Sequence, residues 1–143
     1  QSPRAIIPNI VYQLLNKKIK KVKVGNLKPR RDYTFVLDLC DAYYKVHNSK
    51  KFGEIFNVGS GKNISIKELY DKISLILKIK KPLEIQKERV RTISSEVNSL
   101  RCNNKKISKE LSWVPKTKFD HGLKKTIEWI ENNQSFYKDI YNI

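Results

Sequence analysis

The sequence predicts an α/β fold in which short strands alternate with helices along one domain of 143 residues. Two observations carry this prediction. Apolar side chains recur at helical spacing in several segments, most clearly after Ser65 and in residues 119–133. Between these segments lie short runs typical of strands, such as residues 21–25, in which polar and apolar side chains alternate.

The first helix is predicted to begin near Pro8, because a proline in the first turn lacks only an N–H that would be unpaired anyway. Its apolar face comprises Ile10, Val11, Leu14 and Leu15. Residues 21–25 predict a half-exposed strand, residues 26–30 a turn, and residues 32–35 an extended segment.

A second helix is predicted to run from Asp38 through Val46, with the Asp38 carboxylate as its N-terminal cap. We interpret Asp38 and Asp41 as a helix start and not as an acid/base pair. The buried face predicted for this helix contains Leu39, Ala42, Tyr43 and Val46.

Residues 53–58 predict a short buried strand, and the glycine-rich turn at residues 59–61 then interrupts the chain. The following helix has the clearest start, because Ser65 and Glu68 have the spacing of a capping box. Another short strand is predicted at residues 83–86.

The last third of the chain predicts two more helices. Residues 90–101 are interpreted as irregular or weakly extended. Asn104 is placed to cap a short helix that ends at Leu111. Residues 119–133 predict a longer helix, for which Asp120 is the candidate cap.

Composition restricts the class of protein. With 39% hydrophobic and 10% aromatic residues the chain is expected to fold, and no apolar run is long enough to span a membrane. The two cysteines, Cys40 and Cys102, are too few for a disulfide framework or a zinc site. We therefore expect reduced thiols, a cytoplasmic location and no metal. Because the chain starts at Gln1 and contains no methionine, we expect it to be a fragment of a longer protein.

The formal net charge of +16 allows two interpretations. A basic domain can neutralise the phosphates of nucleic acid, and a basic anion- or nucleic-acid-binding module is therefore kept as an alternative. We favour a compositional origin, because the lysines are scattered over every segment and no aromatic side chains interleave with them. A basic surface also attracts small anionic substrates such as nucleotide diphosphates.

The residues alone reveal no catalytic constellation. His47 and His121 lie in separate predicted elements, and neither belongs to a spaced pattern of carboxylates or cysteines. Gly59-Ser60-Gly61-Lys62 lacks the spacing of a phosphate-binding P-loop. Arg31 and Arg91 are two of only six arginines among thirty basic residues, and an arginine fork can bind a diphosphate. From the residues alone, ordinary surface arginines remain the favoured interpretation.

Blocks spread across the whole chain resemble the C-terminal portion of NAD-dependent sugar-nucleotide epimerases and dehydratases, which are extended short-chain dehydrogenases. The blocks are Arg4-Ala5-Ile6-Ile7-Pro8, Arg31-Asp32-Tyr33-Thr34-Phe35-Val36-Leu37-Asp38, Gly53-Glu54-Ile55-Phe56-Asn57-Val58-Gly59-Ser60-Gly61, Ser95-Glu96-Val97 after Arg91, Leu111-Ser112-Trp113-Val114-Pro115, and Gly122-Leu123-Lys124-Lys125-Thr126-Ile127-Glu128-Trp129. The resemblance implies an α/β substrate-binding portion of such an enzyme over residues 1–143, without its N-terminal Rossmann core.

The resemblance also implies roles for individual residues. Arg31 and Arg91 would bind the substrate diphosphate from opposite sides. The nucleoside base would be flanked by residues of the first helix and first strand, namely Ala5, Ile6, Val22 and Val24. Asn57 and Gly59 would shape the chain's return from the last strand of the nucleotide domain.

The activity implied is that of a nucleotide-sugar 4,6-dehydratase, a lyase, with a 4-epimerase as the alternative. In such enzymes NAD takes a hydride from C4 of the sugar, water leaves across C5 and C6, and the hydride returns at C6. The glycine-rich loop and the Tyr-x-x-x-Lys pair that run this chemistry would lie in the missing N-terminal part. We therefore expect this chain alone to bind no NAD and to catalyse nothing.

The subfamily indicated is the UDP-N-acetylglucosamine 4,6-dehydratase of the legionaminic-acid type, which implies a role in surface polysaccharide biosynthesis. Thr92, Arg101 and Asn103 depart from the family pattern. The partners implied are a nucleotide-diphosphate sugar and the N-terminal part, with a homodimer left open; no membrane and no nucleic acid are expected.

Overall fold

The computed structural model describes residues 4–90 and 95–137, and the mixed α/β class expected from the sequence is confirmed. Within these residues the helices are α1 (Ile6–Leu15), α2 (Val36–Asn48), α3 (Ile66–Leu77), α4 (Lys105–Leu111) and α5 (Phe119–Asn132). The strands are β1 (Val22–Val24), β2 (Arg30–Arg31), β3 (Ile64–Ser65) and β4 (Leu83–Ile85). None of the described helices is long and apolar enough to cross a bilayer.

Two small sheets connect distant parts of the chain. β1 pairs in parallel with β4, with Val22 opposite Leu83. β2 pairs antiparallel with β3, so that Arg31 lies opposite Ile64. The other edge of β2 is bridged in parallel by Ser99, which brings the segment after residue 94 against the same strand.

The main hydrophobic core is enclosed by α1, α3, α5 and β1. Its fully buried members come from all four elements and include Ile10, Leu14, Val22, Leu69, Ile73 and Ile127. Burial of the apolar face of each amphipathic helix is the main source of stability for short helices. We call these four elements the helical core.

The start of α3 is the most accurate sequence-based prediction. Ser65 Oγ accepts a hydrogen bond from the N–H of Glu68 (3.1 Å), and the Glu68 carboxylate accepts one from the N–H of Ser65 (2.6 Å). This capping box satisfies two main-chain donors at the helix end. β1, β4 and α4 also agree with their predicted positions to within one or two residues.

A second, smaller apolar cluster lies beside α2 and α4. Ala42, Ile107 and Trp113 are buried there, and Val46, Phe56, Val58 and Leu111 pack against them. We call α2 together with residues 52–58 the α2 side of the molecule. Its outer surface contains several exposed large apolar side chains: Val36, Leu37, Tyr43, Tyr44, Phe52 and Ile55.

The structure corrects two predictions on the α2 side. Residues 53–58 do not form a strand, because none of the main-chain groups of residues 54–58 is hydrogen-bonded within the described part of the chain. Tyr43 does not lie on the buried face of α2; its side chain is 65% exposed, because the described residues cover that helix only around Asp38 and Ala42.

The predicted side-chain caps are also wrong at three helices. α2 begins at Val36 with Phe35 in the cap position, and the Asp38 carboxylate binds the loop before α5 instead. Asp120 lies inside the first turn of α5, which has no side-chain cap. Asn104 occupies the cap position of α4, but its side chain donates to the carbonyl of Gly59 (2.9 Å). For Asp38 and Asn104, a partner distant in sequence binds the side chain in place of the helix N-terminus.

Candidate functional site

β2 carries Arg31 between two other segments. The N–H of Arg30 donates to the carbonyl of Asn98 (2.8 Å), and the N–H of Leu100 donates back to the carbonyl of Arg30 (3.0 Å). β3 pairs with the opposite edge of the strand. Because β2 is paired on both edges, the backbone of Arg31 is fixed although the strand is only two residues long.

The Arg31 guanidinium is partly engaged and partly available. Nη1 donates to the carbonyls of Arg30 (2.9 Å) and Val97 (2.6 Å), and Nη2 lies 3.4 Å from the carboxylate of Glu96. The side chain is 26% exposed. An arginine has five N–H donors, so Nε–H and one Nη2–H have no partner within the described residues. These two donors can bind an anionic ligand.

A cavity of about 390 Å³ opens beside Arg31, between β2, α3 and the start of α5. Three rings contribute to its wall, those of Tyr33, Phe35 and Phe119, and the rings of Tyr33 and Phe119 have their centres 6.2 Å apart. A wall of this kind suits an uncharged planar or ring-shaped group.

The cavity lining carries more positive than negative charge. Five lining residues are basic: Arg31, Lys62, Lys72, Lys116 and Lys118. The two acidic lining residues are already engaged. Asp120 pairs with Lys72 (2.7 Å), and Asp38 accepts hydrogen bonds from the N–H groups of Lys116 and Thr117 (3.2 Å each). The ammonium groups of Lys62 and Lys118 have no acidic partner within the described residues, so the cavity favours an anionic ligand.

Tyr33 remains neutral inside this cavity. Burial raises the pKa of its phenol to about 12, and the nearby Arg31 guanidinium lowers the pKa by a smaller amount. The hydroxyl is buried and has no hydrogen-bond partner within the described residues. The phenol is therefore a protonated donor at neutral pH, buried behind the wall of the cavity.

Asp32 lies next to Arg31 in sequence and bonds to other segments. One carboxylate oxygen accepts from the N–H (3.0 Å) and the hydroxyl (2.5 Å) of Ser60, and the other accepts from the N–H groups of Gly61 (2.8 Å) and Cys102 (3.1 Å). Burial raises the pKa of the Cys102 thiol, and the Asp32 charge raises it further. Cys102 is thus held as an unreactive thiol.

The predicted base-binding residues occupy less accessible positions than expected. The side chains of Val22 and Val24 are 0% and 2% exposed and belong to the helical core, so they cannot touch a ligand. Lys23 between them is exposed. Ala5 and Ile6, at the start of α1, are half-buried. Arg91 lies outside the described residues, so its distance from Arg31 is not defined.

Sequence reasoning missed most of the cavity. Tyr33 and Asp32 stand in the block that contains Arg31, but no role was assigned to either. The lysines of the lining come from three separate segments, and nothing in their local sequence distinguishes them from the other lysines. Within the described residues no group of three His, Cys, Asp or Glu side chains could hold a metal ion.

Comparison with known proteins identifies similar chains. The family described as GDP-mannose 4,6 dehydratase matches residues 1–126. A dTDP-glucose 4,6-dehydratase from Escherichia coli is 31% identical over 146 aligned residues, which cover 96% of this chain and 40% of the relative. This chain therefore spans about two fifths of the length of that relative.

Two solved structures illustrate the structural similarity of this chain to known proteins. The structure of dTDP-glucose 4,6-dehydratase from Bacillus anthracis in complex with NAD is 27% identical, with a TM-score of 0.83 over 96% of this chain and 42% of that one. A UDP-glucose 4-epimerase from Thermotoga maritima with UDP-glucose matches with a TM-score of 0.76 over 91% of this chain and 40% of that one. At 20% identity the second likeness shows the fold alone.

Proposed function

Because the chain belongs to the GDP-mannose 4,6-dehydratase family of NAD-dependent epimerases and dehydratases, we propose that it is the substrate-binding portion of a nucleotide-sugar 4,6-dehydratase. The observation that carries this proposal is the position of Arg31, which has two N–H donors without a partner among the described residues and lies beside a cavity with an excess of basic side chains. We propose UDP-N-acetylglucosamine or a related nucleotide sugar as the substrate.

In this proposal Arg31 binds the diphosphate. A diphosphate carries two or three negative charges close together, and charge-assisted hydrogen bonds from an arginine fork match its oxygens. Lys62 and Lys118 add positive charge at the same cavity. Arg91 is proposed as a second diphosphate ligand; it lies outside the described residues.

Ala5 and Ile6 are proposed to contact the nucleoside base, together with the main chain of β1. The buried side chains of Val22 and Val24 support that strand from inside the helical core and make no direct contact. Lys23 is the exposed side chain of β1 and replaces them as a candidate contact. Binding energy from the nucleotide end would position the sugar for reaction elsewhere.

NAD is proposed to bind to an N-terminal part of the protein and not to this chain. The one Gly-x-Gly turn here, at residues 59–61, directs the N–H groups of Ser60 and Gly61 to Asp32, so they are not available to a phosphate. When bound, NAD supplies the hydride acceptor of the reaction. The reduced thiols expected for Cys40 and Cys102 support a cytoplasmic location.

The α2 side is the proposed contact surface for that N-terminal part. Leu37 and Ile55 are 59% and 80% exposed, and residues 54–58 leave their main-chain groups unpaired in the described part of the chain. Exposed apolar side chains beside an unpaired extended segment are typical of a surface that another part of a protein covers.

A nucleotide-sugar 4-epimerase is the second candidate. The specific observation in its favour is the likeness to solved structures described as epimerases, one of them 28% identical with a TM-score of 0.83. The two activities differ in product mass, because dehydration removes one water from the sugar and epimerisation leaves the mass unchanged.

Mass spectrometry of the product therefore tests the proposal. The complete protein is incubated with NAD and, separately, with UDP-N-acetylglucosamine, dTDP-glucose and GDP-mannose. We expect one of them to yield a nucleotide sugar that is lighter by one water. A product of unchanged mass with altered sugar stereochemistry would favour the epimerase, and recovery of all three substrates unchanged would contradict both candidates.

A further inference from the structure

We propose that Asp32 is the positioning residue of the diphosphate site: it holds Arg31 and the segment of residues 95–102 in the geometry that binds the ligand. The inference rests on the proposed function, because it assigns to Asp32 an effect that is exerted through Arg31.

Several hydrogen-bond donors converge on the carboxylate of Asp32. Four hydrogen bonds of 2.5–3.1 Å reach its two oxygens, from Ser60, Gly61 and Cys102. These donors come from two segments that are distant in sequence from β2 and from each other. A carboxylate that accepts several N–H and O–H groups fixes their relative positions more firmly than neutral hydrogen bonds do.

The two segments that Asp32 joins, the turn at residues 59–61 and the segment of residues 95–102, approach each other closely. A Cβ on Gly59 would lie 2.3 Å from the Cβ of Cys102 and 3.3 Å from a carboxylate oxygen of Asp32. Only glycine permits this contact. Gly61 has a φ of +73°, a conformation in which its N–H points at Asp32. The turn at residues 59–61 is thus shaped to meet the carboxylate.

The hydrogen bonds to Asp32 are connected to Arg31 through the segment of residues 95–102. The segment of residues 95–102 is attached to β2 and Asp32 at successive points: Glu96 and Val97 contact the Arg31 side chain, Asn98 and Leu100 pair with the main chain of Arg30, and the N–H of Cys102 bonds to Asp32. Loss of the last attachment frees the end of the segment whose beginning orients the guanidinium of Arg31.

Asp32 does not act by neutralising Arg31, because the ion pair of Arg31 is with Glu96. Nor can Asp32 contact the ligand readily, because its oxygens already accept from five donors, the fifth being the Thr34 hydroxyl at 3.5 Å. The remaining role for Asp32 is to hold these segments and Arg31 in position. Loss of its carboxylate should therefore weaken binding of the diphosphate and change the rate of reaction of the bound substrate very little.

Asp32→Asn in the complete protein is the test variant. It keeps the size of the side chain but replaces one acceptor oxygen with an NH₂ group, which cannot accept from Gly61 or Cys102. We expect the Kd for UDP to rise by about tenfold and KM for the nucleotide sugar to rise with it, while kcat changes by less than about threefold. Asp71→Asn is the matched control, because Asp71 is exposed and, among the described residues, pairs with Lys67 alone.

A double-mutant cycle separates positioning from a general loss of structure. If Asp32 acts through Arg31, Asp32→Asn has almost no further effect on UDP binding in the Arg31→Ala background. An equal effect of Asp32→Asn in both backgrounds would overturn the proposal, as would unchanged binding when Arg31→Ala alone weakens it. If Arg31→Ala itself leaves UDP binding unchanged, the diphosphate assignment fails and the positioning role fails with it.

Ser60→Ala covers the case in which Asp32→Asn does not fold. It removes the 2.5 Å hydroxyl bond to Asp32 and the two bonds of that hydroxyl with the main chain of Lys62, but leaves the N–H bonds of Ser60, Gly61 and Cys102 to Asp32. We expect a change in UDP affinity of about threefold in the same direction, and again none in the Arg31→Ala background. A Ser60→Ala protein with unaltered affinity for UDP would contradict the role of Asp32.

Discussion

The helical core and the α2 side both contain amphipathic helices but bury their apolar side chains to very different extents. Leu69 on α3 is 0% exposed, whereas Leu37 on α2 is 59% exposed. Helices enclose the helical core on three sides, whereas the described residues leave the outer surface of the α2 side exposed to solvent. The difference fits the proposal that another part of the protein covers the α2 side. Arg31 and its cavity lie between the two.

The largest effect expected from this difference is on stability. Leu69→Ala removes a fully buried side chain and should lower the free energy of unfolding of the isolated chain by about 2–5 kcal/mol. Leu37→Ala is chemically the same change on the α2 side and should lower it by less than about 0.5 kcal/mol. Urea denaturation of both variants measures the difference.

The same two variants should also be compared in the complete protein, again by their free energies of unfolding. If the α2 side is covered there, Leu37→Ala should become costly, by about 1–3 kcal/mol. A cost that is equally small in the isolated chain and in the complete protein would show that the α2 side faces solvent in both.

Asp38 provides the next largest effect, because it ties the start of α2 to the loop before α5. Asp38→Ala leaves the N–H groups of Lys116 and Thr117 and the Thr117 hydroxyl without their acceptor, at a cost of about 1–3 kcal/mol. Asp41→Ala is the control, since its ion pair with Lys116 is long (3.6 Å) and largely exposed, and should cost less than about 1 kcal/mol. Equal losses in thermal or urea unfolding would refute this account of Asp38.

Tyr33 should produce a smaller effect that appears only at high pH. Its folded-state pKa of about 12 exceeds the ordinary value of 10, so its contribution to stability is complete below pH 10 and is lost as the pH rises toward 12. Tyr33→Phe should therefore be at least as stable as the parent chain at pH 7, because it removes a buried hydroxyl without a partner among the described residues, and it should lose less stability between pH 10 and 12. Parallel losses for the two chains in urea unfolding at pH 9 and pH 11 would argue against a buried phenol.

Ile55→Lys should have the smallest effect on folding, because the side chain is 80% exposed. Its expected effect is on association. An exposed apolar side chain beside unpaired main-chain groups promotes contact between molecules, and a lysine there opposes it. Sedimentation velocity should show less self-association of the isolated chain, while the urea midpoint stays the same. Unchanged self-association would indicate that the α2 side does not cause it.

The sequence predicts best those features that depend on neighbouring residues. The capping box of α3 is an example, since Ser65 and Glu68 satisfy each other within one turn. The capping role expected of Asp38 failed because partners almost eighty residues away compete for its carboxylate. The strand expected at residues 53–58 failed because a strand exists only with a hydrogen-bonded neighbour, and the described chain offers none.

The candidate site shows the same limit. Arg31 stood out through its block of neighbours, and its own strand positions it. The cavity around it combines residues from β2, the turn at residues 59–61, α3 and the loop before α5, which no local pattern connects. Val22 and Val24 were expected to contact a base, but the apolar character that marked them places them in the core instead.

Binding of UDP to the complete protein, measured by isothermal titration calorimetry, tests the central claim most directly. The comparison is between the parent protein, Arg31→Ala, and Lys28→Ala, which removes one exposed positive charge from the neighbouring turn. We expect Arg31→Ala to raise the Kd by at least about tenfold and Lys28→Ala to change it by less than about twofold. Equal affinities for the parent protein and Arg31→Ala would contradict the account.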